Sequence, residues 1–187
     1  MNIKNVQQLI DVIGKFKDLK RSGWVNKKVV NPESDAEHSF SVAFMTMLMA
    51  PDNLDKEKCL KLALIHDLAE IYAGDYTPDD NITAKEKQKK ELIGIKRVAD
   101  ELGEGDLVDL FNEFTDQSSK EALFVNALDK IDNVITARYY DNNKRSPINL
   151  TAEFASYAKC KIDDMPDIKE LQNIKQLLKD VIIQSNQ

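Results

Sequence analysis

Apolar residues recur at helical spacing along nearly the whole chain. In the first twenty residues they lie three or four positions apart, which is typical of one face of a helix: Val6, Leu9, Ile10, Ile13 and Phe16. This first helix is predicted to end near Ser22 and Gly23, with a loop following through Asn31 and Pro32. No strand pairs, repeats, low-complexity tracts or linkers are visible. The pattern predicts an all-α protein.

Capping residues indicate where the later helices begin. Ser34 to Glu37 and Thr83 to Glu86 fit the capping box, and Ser118 with Glu121 resembles it. Asp55 can cap a further helix. Together with the apolar spacing, these signals predict helices over about 34–51, 55–74, 83–102, 107–114, 118–140, around Phe154 and over 168–182.

The segment 55–74 is apolar almost without interruption, so its helix is predicted to be buried on most sides. Turn-forming residues follow over 74–81, and Gly103 is predicted to end the helix after that loop. A chain of 187 residues fits one domain with a sizeable core. We therefore expect residues 1–187 to form a single helical bundle of about seven to eight helices.

The composition of the chain indicates which partners it can bind and in which compartment it acts. The chain is 42% hydrophobic and 31% charged, as in ordinary globular proteins, and its net charge of -6 disfavours nucleic acid as a partner. Cys59 and Cys160 form no disulfide framework, which indicates a reducing compartment. The longest apolar stretch, 42–50, is too short to span a bilayer, and the first residues lack the core of a signal peptide. We expect a cytoplasmic protein without a membrane partner.

The candidate chemistry centres on the only two histidines, His38 and His66. Asp67 follows His66 within an apolar segment, where a charged carboxylate is costly unless it is paired or binds a metal. Taken singly, a satisfied core histidine and a structural salt bridge are the favoured interpretations. The adjacency of the two residues shifts the balance toward a pair of metal ligands. Nitrogen and oxygen ligands of this kind suit Mn, Co, Zn or Fe.

Two more acids complete the candidate set. Glu70 comes four residues after His66, which would place it on the same helical face. A buried acid from another helix is also needed, and both Asp129 and Asp132 lie in a largely apolar segment. The pattern alone does not choose between them. A zinc protease is excluded, because His-Glu-x-x-His would use both histidines at a spacing that the chain does not have.

The ordered motifs resemble those of the HD-domain phosphohydrolases, and most closely their 5'-deoxynucleotidase branch. The likeness spans roughly residues 5 to 140. The segments that carry it are Lys20 to Val25, Ala36 to Ser39, Leu64 to Glu70, Gly74 to Pro78 and Leu128 to Asp129. The resemblance implies a helical hydrolase that releases phosphate from 5'-deoxynucleoside monophosphates, binds a divalent cation and forms a homodimer.

The resemblance also implies roles for individual residues. The metal ligands would be His38, His66, Asp67 and Asp129, which favours Asp129 over Asp132. Glu70 would be the acid/base that positions or deprotonates the attacking water, and Arg21 would orient the substrate phosphate. The pocket for the sugar, which disfavours a 2'-hydroxyl, would be lined by Trp24, Asp75, Tyr76, Thr77 and Pro78.

Some members of this branch carry the arginine and the tryptophan side by side, whereas Ser22 and Gly23 separate them here. The structural alternatives are a packing aromatic for Trp24, a solvated charge for Arg21 and a helix-end turn residue for Asp75. Three other functions stay open. The chain could be a guanosine tetraphosphate hydrolase with the same core, a nucleotide-binding HD module without turnover, or a structural helical protein whose buried acids form salt bridges.

Overall fold

A computed structural model describes residues 6–77 and 79–184, which contain ten α-helices and no strand. One isolated bridge joins Lys20 and Ser34. The helices are α1 (Val6–Asp18), α2 (Ser22–Asn26), α3 (Asp35–Met49), α4 (Lys56–Ile65), α5 (Glu70–Ala73), α6 (Ala84–Leu102), α7 (Asp106–Thr115), α8 (Lys120–Asn142), α9 (Thr151–Asp163) and α10 (Gln172–Gln184), the last preceded by a 3-10 turn, Lys169–Leu171. The all-α prediction is confirmed.

Both predicted capping boxes are present. The hydroxyl of Ser34 accepts a hydrogen bond from the Glu37 amide, and the Glu37 carboxylate accepts one from the Ser34 amide. Thr83 and Glu86 make the same exchange at the start of α6. Gly103 ends α6 in the left-handed region, with φ of 71°. These local signals fix where α3 and α6 begin and where α6 ends.

The start of α8 differs by one residue from the prediction. Ser119, and not Ser118, caps the helix, because its hydroxyl accepts from the Ala122 amide. Glu121 does not complete a capping box, since its carboxylate pairs with Lys58 on α4. That ion pair joins the beginnings of the two helices.

Helix α8 lies at the centre of the fold. It contacts α3, α4, α7, α9 and α10. Its apolar face packs against that of α4 in the main hydrophobic core. The buried side chains there include Leu62, Phe124, Leu128 and Ile131. Among the described residues no helix has both the length and the apolarity needed to cross a bilayer.

The helix predicted over 55–74 is interrupted, so that prediction was wrong in its extent. Helix α4 ends at Ile65, a turn covers 66–69, and α5 starts at Glu70. The His66 ring donates from Nδ1 to the Ala63 carbonyl, 2.8 Å away, and the backbone tightens as the Leu68 amide bonds the Ile65 carbonyl. This break and the short α2, where a loop was predicted, account for the two helices beyond the predicted eight. Leu64 is half exposed, so α4 is not buried on most sides.

Gly94 allows α6 to pack directly on the backbone of the 66–69 turn. A methyl group at position 94 would lie 2.3 Å from the Ala69 carbonyl oxygen, which is far inside contact distance. Gly94→Ala is therefore expected to displace α6 and to lower the free energy of unfolding by about 1–3 kcal/mol. Denaturant titration measures the loss.

Gly14→Ala, within α1, is the matched control, because nothing lies within 4 Å of a methyl group placed there. Alanine in a helix interior is expected to raise the free energy of unfolding by roughly 0.5–1 kcal/mol. If Gly94→Ala were as stable as the unaltered protein, the close contact with Ala69 would not be an essential feature of the fold.

Candidate metal centre and adjoining cavity

Three buried side chains from three helices converge at one point. His38 comes from α3, His66 from the end of α4 and Asp129 from the middle of α8. His38 Nε2 lies 3.2 Å from His66 Nε2 and 3.1 Å from Asp129 Oδ1. Asp67 Oδ2 lies 3.3 Å from His66 Nε2 and 3.6 Å from His38 Nε2. The structure thus brings together all four residues predicted as metal ligands.

Hydrogen bonds on the far side of each imidazole set the orientation of the two rings. His66 Nδ1 donates to the Ala63 carbonyl, and His38 Nδ1 lies 2.7 Å from Asp132 Oδ2. Each ring thus directs its Nδ1–H toward an oxygen, of Asp132 for His38 and of Ala63 for His66. Both Nε2 atoms therefore face the centre of the cluster. A second hydrogen bond of this kind is characteristic of metal-binding histidines.

The same contacts separate the roles of the two acids on α8. Asp129 faces the Nε2 side of His38, where His66 and Asp67 also lie, whereas Asp132 faces the Nδ1 side. Asp129 is in the position of a ligand, and Asp132 in that of a residue that orients the His38 ring. The two carboxylates between which the sequence pattern did not choose thus meet opposite edges of the same imidazole.

The donor set fits a divalent cation. One nitrogen each from His38 and His66 and an oxygen of Asp129 lie within 4.8 Å of one another, and Asp67 Oδ2 lies within 3.6 Å of both histidines. Imidazole and carboxylate are ligand types that Mn, Co, Zn and Fe accept. Burial and the Arg21 charge alone would lower the pKa of His38, but hydrogen bonds to Asp129 and Asp132 outweigh them and raise it to about 10. The carboxylates that favour a charged His38 would also favour a bound cation, which would compete with that proton.

Glu70 begins α5 beside this cluster and is buried. Its Oε2 atom is buried without a hydrogen-bond partner among the described residues. Burial, together with the nearby carboxylates of Asp67, Asp75 and Asp35, raises the pKa of Glu70 well above its ordinary value. The nearest cation is Lys87 Nζ, 4.0 Å from Oε1, which also donates to the Tyr76 carbonyl. Glu70 thus has a free oxygen and a raised pKa, as an acid/base requires.

Asp35 adds a third acid that the sequence analysis did not single out. Its side chain is fully buried, and neither oxygen has a hydrogen-bond partner among the described residues, although Arg21 Nη1 lies 3.9 Å from Oδ1. Asp35 groups with Asp67 and Glu70. Burial, then Asp67, raise the pKa of Asp35 to about 7. Its place as the first residue of α3, three positions before His38, could have suggested this location.

Arg21 lies against the candidate ligands and not in open solvent. Its guanidinium donates to Asp67 Oδ2 at 2.8 Å and to Asn133 Oδ1 at 3.1 Å. Burial would lower the pKa of Arg21, but Asp67 and Asp129 outweigh it, so the group stays charged. The solvated-charge alternative for Arg21 is thereby ruled out. Its contact with a phosphate stays a prediction.

Trp24 lies in the wall of the cavity and is almost fully buried, with 1% exposed. Its ring meets those of Tyr140 and Phe154, at centroid distances of 5.3 Å and 4.4 Å. Its indole N–H donates to Glu33. Trp24 is thus a packing aromatic that also borders the cavity, so its two interpretations are compatible.

A cavity of about 390 Å³ opens above the metal centre. Its walls include Arg21, Trp24, Glu70, Asp129 and the segment 75–77, all predicted for the site. Asp75 also accepts a hydrogen bond from the Ser22 amide, which ties the segment to α2. Pro78, the remaining residue predicted for the sugar pocket, lies outside the described residues.

Residues 13–169 match the sequence profile of the family described as HD domain. The chain belongs to the HD domain family. It is 35% identical over 158 residues to the 5'-deoxynucleotidase HDDC2 of Homo sapiens, covering 83% of this chain and 78% of that protein. It is 37% identical over 150 residues to the protein of the same name from Dictyostelium discoideum, covering 74% and 79%.

Solved structures show the same HD domain architecture. The PH0347 protein of Pyrococcus horikoshii superposes with a TM-score of 0.78 at 30% identity, over 95% of this chain and 98% of that one. A conserved protein of Pyrococcus furiosus gives 0.77 at 28% identity, over 96% and 99%. Both matches cover nearly the whole of this HD domain chain.

Several residues at this HD domain site were missed in the sequence analysis. Asn133 bridges Arg21 and Asp129, and Lys87 contacts the 75–77 segment. Phe154 and Tyr157 of α9 also line the cavity. Asn133 had a detectable signal, since it lies one turn after Asp129 on the same face of an apolar helix. The α9 residues had none, because the resemblance ended near residue 140.

Proposed function

We propose that this HD domain hydrolyses 5'-deoxynucleoside monophosphates to a deoxynucleoside and orthophosphate. The convergence of His38, His66, Asp67 and Asp129 beside Glu70, at the base of a cavity of about 390 Å³, carries the proposal. A cavity of that size suits a small-molecule substrate. The relatives named 5'-deoxynucleotidase, which align over most of the chain, support the choice of substrate.

The four ligand residues would hold a divalent ion, with Mn, Co, Zn and Fe as the candidates. When bound, such an ion lowers the pKa of a coordinated water to about 7 and offsets charge on the phosphoryl oxygens. Glu70 would take or return a proton at the attacking water, for which its raised pKa makes it a stronger base than an ordinary carboxylate. Arg21 would present a planar pair of donors to the phosphate beside Asp67.

The deoxyribose would lie against Trp24 and the loop formed by Asp75, Tyr76, Thr77 and Pro78. This wall would disfavour a 2'-hydroxyl and so select against ribose. The buried position of Trp24 makes it a fixed wall, since two aromatic rings and one hydrogen bond hold it.

A substrate panel tests the proposed activity. Phosphate release is measured from each deoxy- and ribonucleoside 5'-monophosphate and from guanosine tetraphosphate, with Mn, Co, Zn and Mg in turn. We expect release from deoxynucleotides to exceed that from ribonucleotides and to stop when a chelator is added. Cleavage of guanosine tetraphosphate alone, or undiminished release after chelation, would refute the proposal.

We propose that the whole chain, residues 1–187, is one domain, that it acts in the cytoplasm and that it forms a homodimer. Packing of α10 on α8 and α9 supports the single domain.

The candidate dimer surface is the solvent-exposed face of α3, where Phe40 and Phe44 stack beside Met47 and Leu48. Apolar patches of this kind are typical of interfaces.

Phe40→Glu is expected to convert the dimer to a monomer, because it places a charge within the apolar face of α3. Light scattering after size exclusion measures the mass. Ile93→Glu, at an exposed apolar position on α6, is the matched control and should leave the mass unchanged. A monomeric unaltered protein would contradict the dimer directly.

A further inference from the structure

A second cavity, of about 400 Å³, adjoins the one above the metal centre. It lies between α8, which contributes Asn126, and α9, which contributes Lys161, and the turn before α8 contributes Gln117. Lys130 and Tyr157 line both cavities, so these two side chains form the boundary between them. The two cavities are thus neighbours on either side of these side chains.

Two carboxamides line this second cavity with no side-chain hydrogen bond to any residue that the structure describes. Asn126 is more than nine-tenths buried, on a helix whose neighbouring side chains are apolar. Gln117 is half-buried at the turn. Its backbone N–H donates to the Phe114 carbonyl, and its side chain takes no part in that hydrogen bond. Both carboxamides are open to the space of this cavity, so their donors and acceptors are available to a ligand that enters it.

We propose that this second cavity binds the nucleobase of the substrate. A carboxamide offers two donors and one acceptor oxygen, which match the mixed donors and acceptors on a base edge. Tyr157, with 45% of its surface exposed, offers a ring face on which a base can stack. The inference rests on the proposed function, because it assigns a site for one part of that substrate.

The order of groups along the cavities fits a mononucleotide. Asn126 precedes Asp129 by three residues on α8, so the two residues are separated by about 4.5 Å along the helix axis. The ring of Phe154 contacts Trp24 at a centroid distance of 4.4 Å, and Tyr157 follows on the next position of the same α9 face. Phosphate at the ligands, sugar at Trp24 and base at Tyr157 form a continuous path.

The charges around the second cavity favour a neutral ring over a second phosphate. Lys130 Nζ is held by Asp129 Oδ2 at 2.6 Å, so its charge is already paired. Lys161 lies 5.5 Å from the Tyr157 ring centroid, and Asp164 supplies a negative charge in the same wall. This leaves the two carboxamides and one aromatic face as the recognition groups.

Kinetics with and without a base test the subsite. The full chain is loaded with the most active metal, and KM is measured for dAMP and for 2-deoxyribose 5-phosphate, which has the same phosphate and sugar but no base. Asn126→Leu keeps the side-chain volume and removes the hydrogen bonds. We expect it to raise the KM for dAMP about three- to tenfold. The KM for the sugar phosphate should not change.

Two variants of Tyr157 test the stacking surface independently, so the proposal does not depend on the folding of one protein. Tyr157→Ala is expected to raise the KM for dAMP at least about fivefold, whereas Tyr157→Phe keeps the ring and should resemble the unaltered enzyme. Asn112→Leu, an exposed position on α7, is the control for the change of asparagine to leucine. Equal effects on both substrates, or none on dAMP, would overturn the subsite.

Direct binding separates failure of the subsite from failure of the proposed function. Deoxyadenosine is titrated into the unaltered protein, Asn126→Leu and Tyr157→Ala by calorimetry, with inorganic phosphate as the probe for the metal end. Weaker deoxyadenosine binding with unchanged phosphate binding supports the subsite, even if no nucleotide is hydrolysed. Equal deoxyadenosine binding by all three proteins would refute it, even if dAMP is a good substrate.

Discussion

Asp129→Ala is expected to abolish both metal binding and phosphate release. The substitution removes one of two carboxylates among the candidate ligands and deprives the partly buried Lys130 of its ion pair. The loss of the carboxylate and the uncompensated charge of Lys130 both disfavour binding of a divalent cation at the candidate metal centre. Metal content after dialysis and the rate of dAMP hydrolysis are measured on the same preparation, so that the two losses can be compared.

Asp132→Ala is the matched comparison, because Asp132 lies one turn later on the same helix and bonds the opposite nitrogen of His38. Loss of a residue that orients a ligand typically lowers affinity or activity by about 10- to 100-fold. We expect Asp129→Ala to exceed that range and Asp132→Ala to fall within it. If Asp132→Ala were the more damaging change, the assignment of ligand and orienting residue would have to be reversed.

Glu70→Gln is expected to keep the metal and to lower kcat by about 10²- to 10⁴-fold, the usual contribution of an acid/base. The amide preserves the shape of the side chain at the start of α5 but cannot accept a proton. It also removes one acid from the group formed with Asp35 and Asp67. Metal analysis and steady-state kinetics, measured together, distinguish a lost proton transfer from a lost cation.

Glu57→Gln, exposed on α4, is the control for this change and should retain the rate of the unaltered enzyme. A Glu70→Gln protein with full metal and full kcat would remove Glu70 from the mechanism. One that loses its metal would instead place Glu70 among the ligands.

The features that follow from nearby residues were predictable from the sequence. The capping boxes that begin α3 and α6 involve groups only three residues apart, so the chain displays them directly. The order of the two histidines, Asp67 and Glu70 indicated the metal centre because burying these groups without a ligand is costly. The choice of Asp129 over Asp132 came only from the resemblance, since both residues lie in the same largely apolar segment.

The features that depend on tertiary contacts were not predictable. The apolar pattern continues through residues 66–69, yet a side-chain hydrogen bond from His66 to the Ala63 carbonyl interrupts the helix there. Arg21 follows a helix end and resembles a surface charge, although the fold places it against Asp67 and Asn133. Only the packing of α9 on α8 shows that Tyr157 lines the same cavity as the candidate metal ligands.

The carboxyl group of Asp35 has a consequence for stability. It has no hydrogen-bond partner among the described residues, and one of its oxygens lies within 4.8 Å of carboxylate oxygens of Asp67 and Glu70. Because the pKa values of Asp35 and Glu70 are raised in the folded protein, ionising these carboxyls costs free energy, so the ion-free protein loses stability as the pH rises through about 7. A divalent cation bound by the neighbouring residues would offset part of that cost, so metal should stabilise the protein most at alkaline pH.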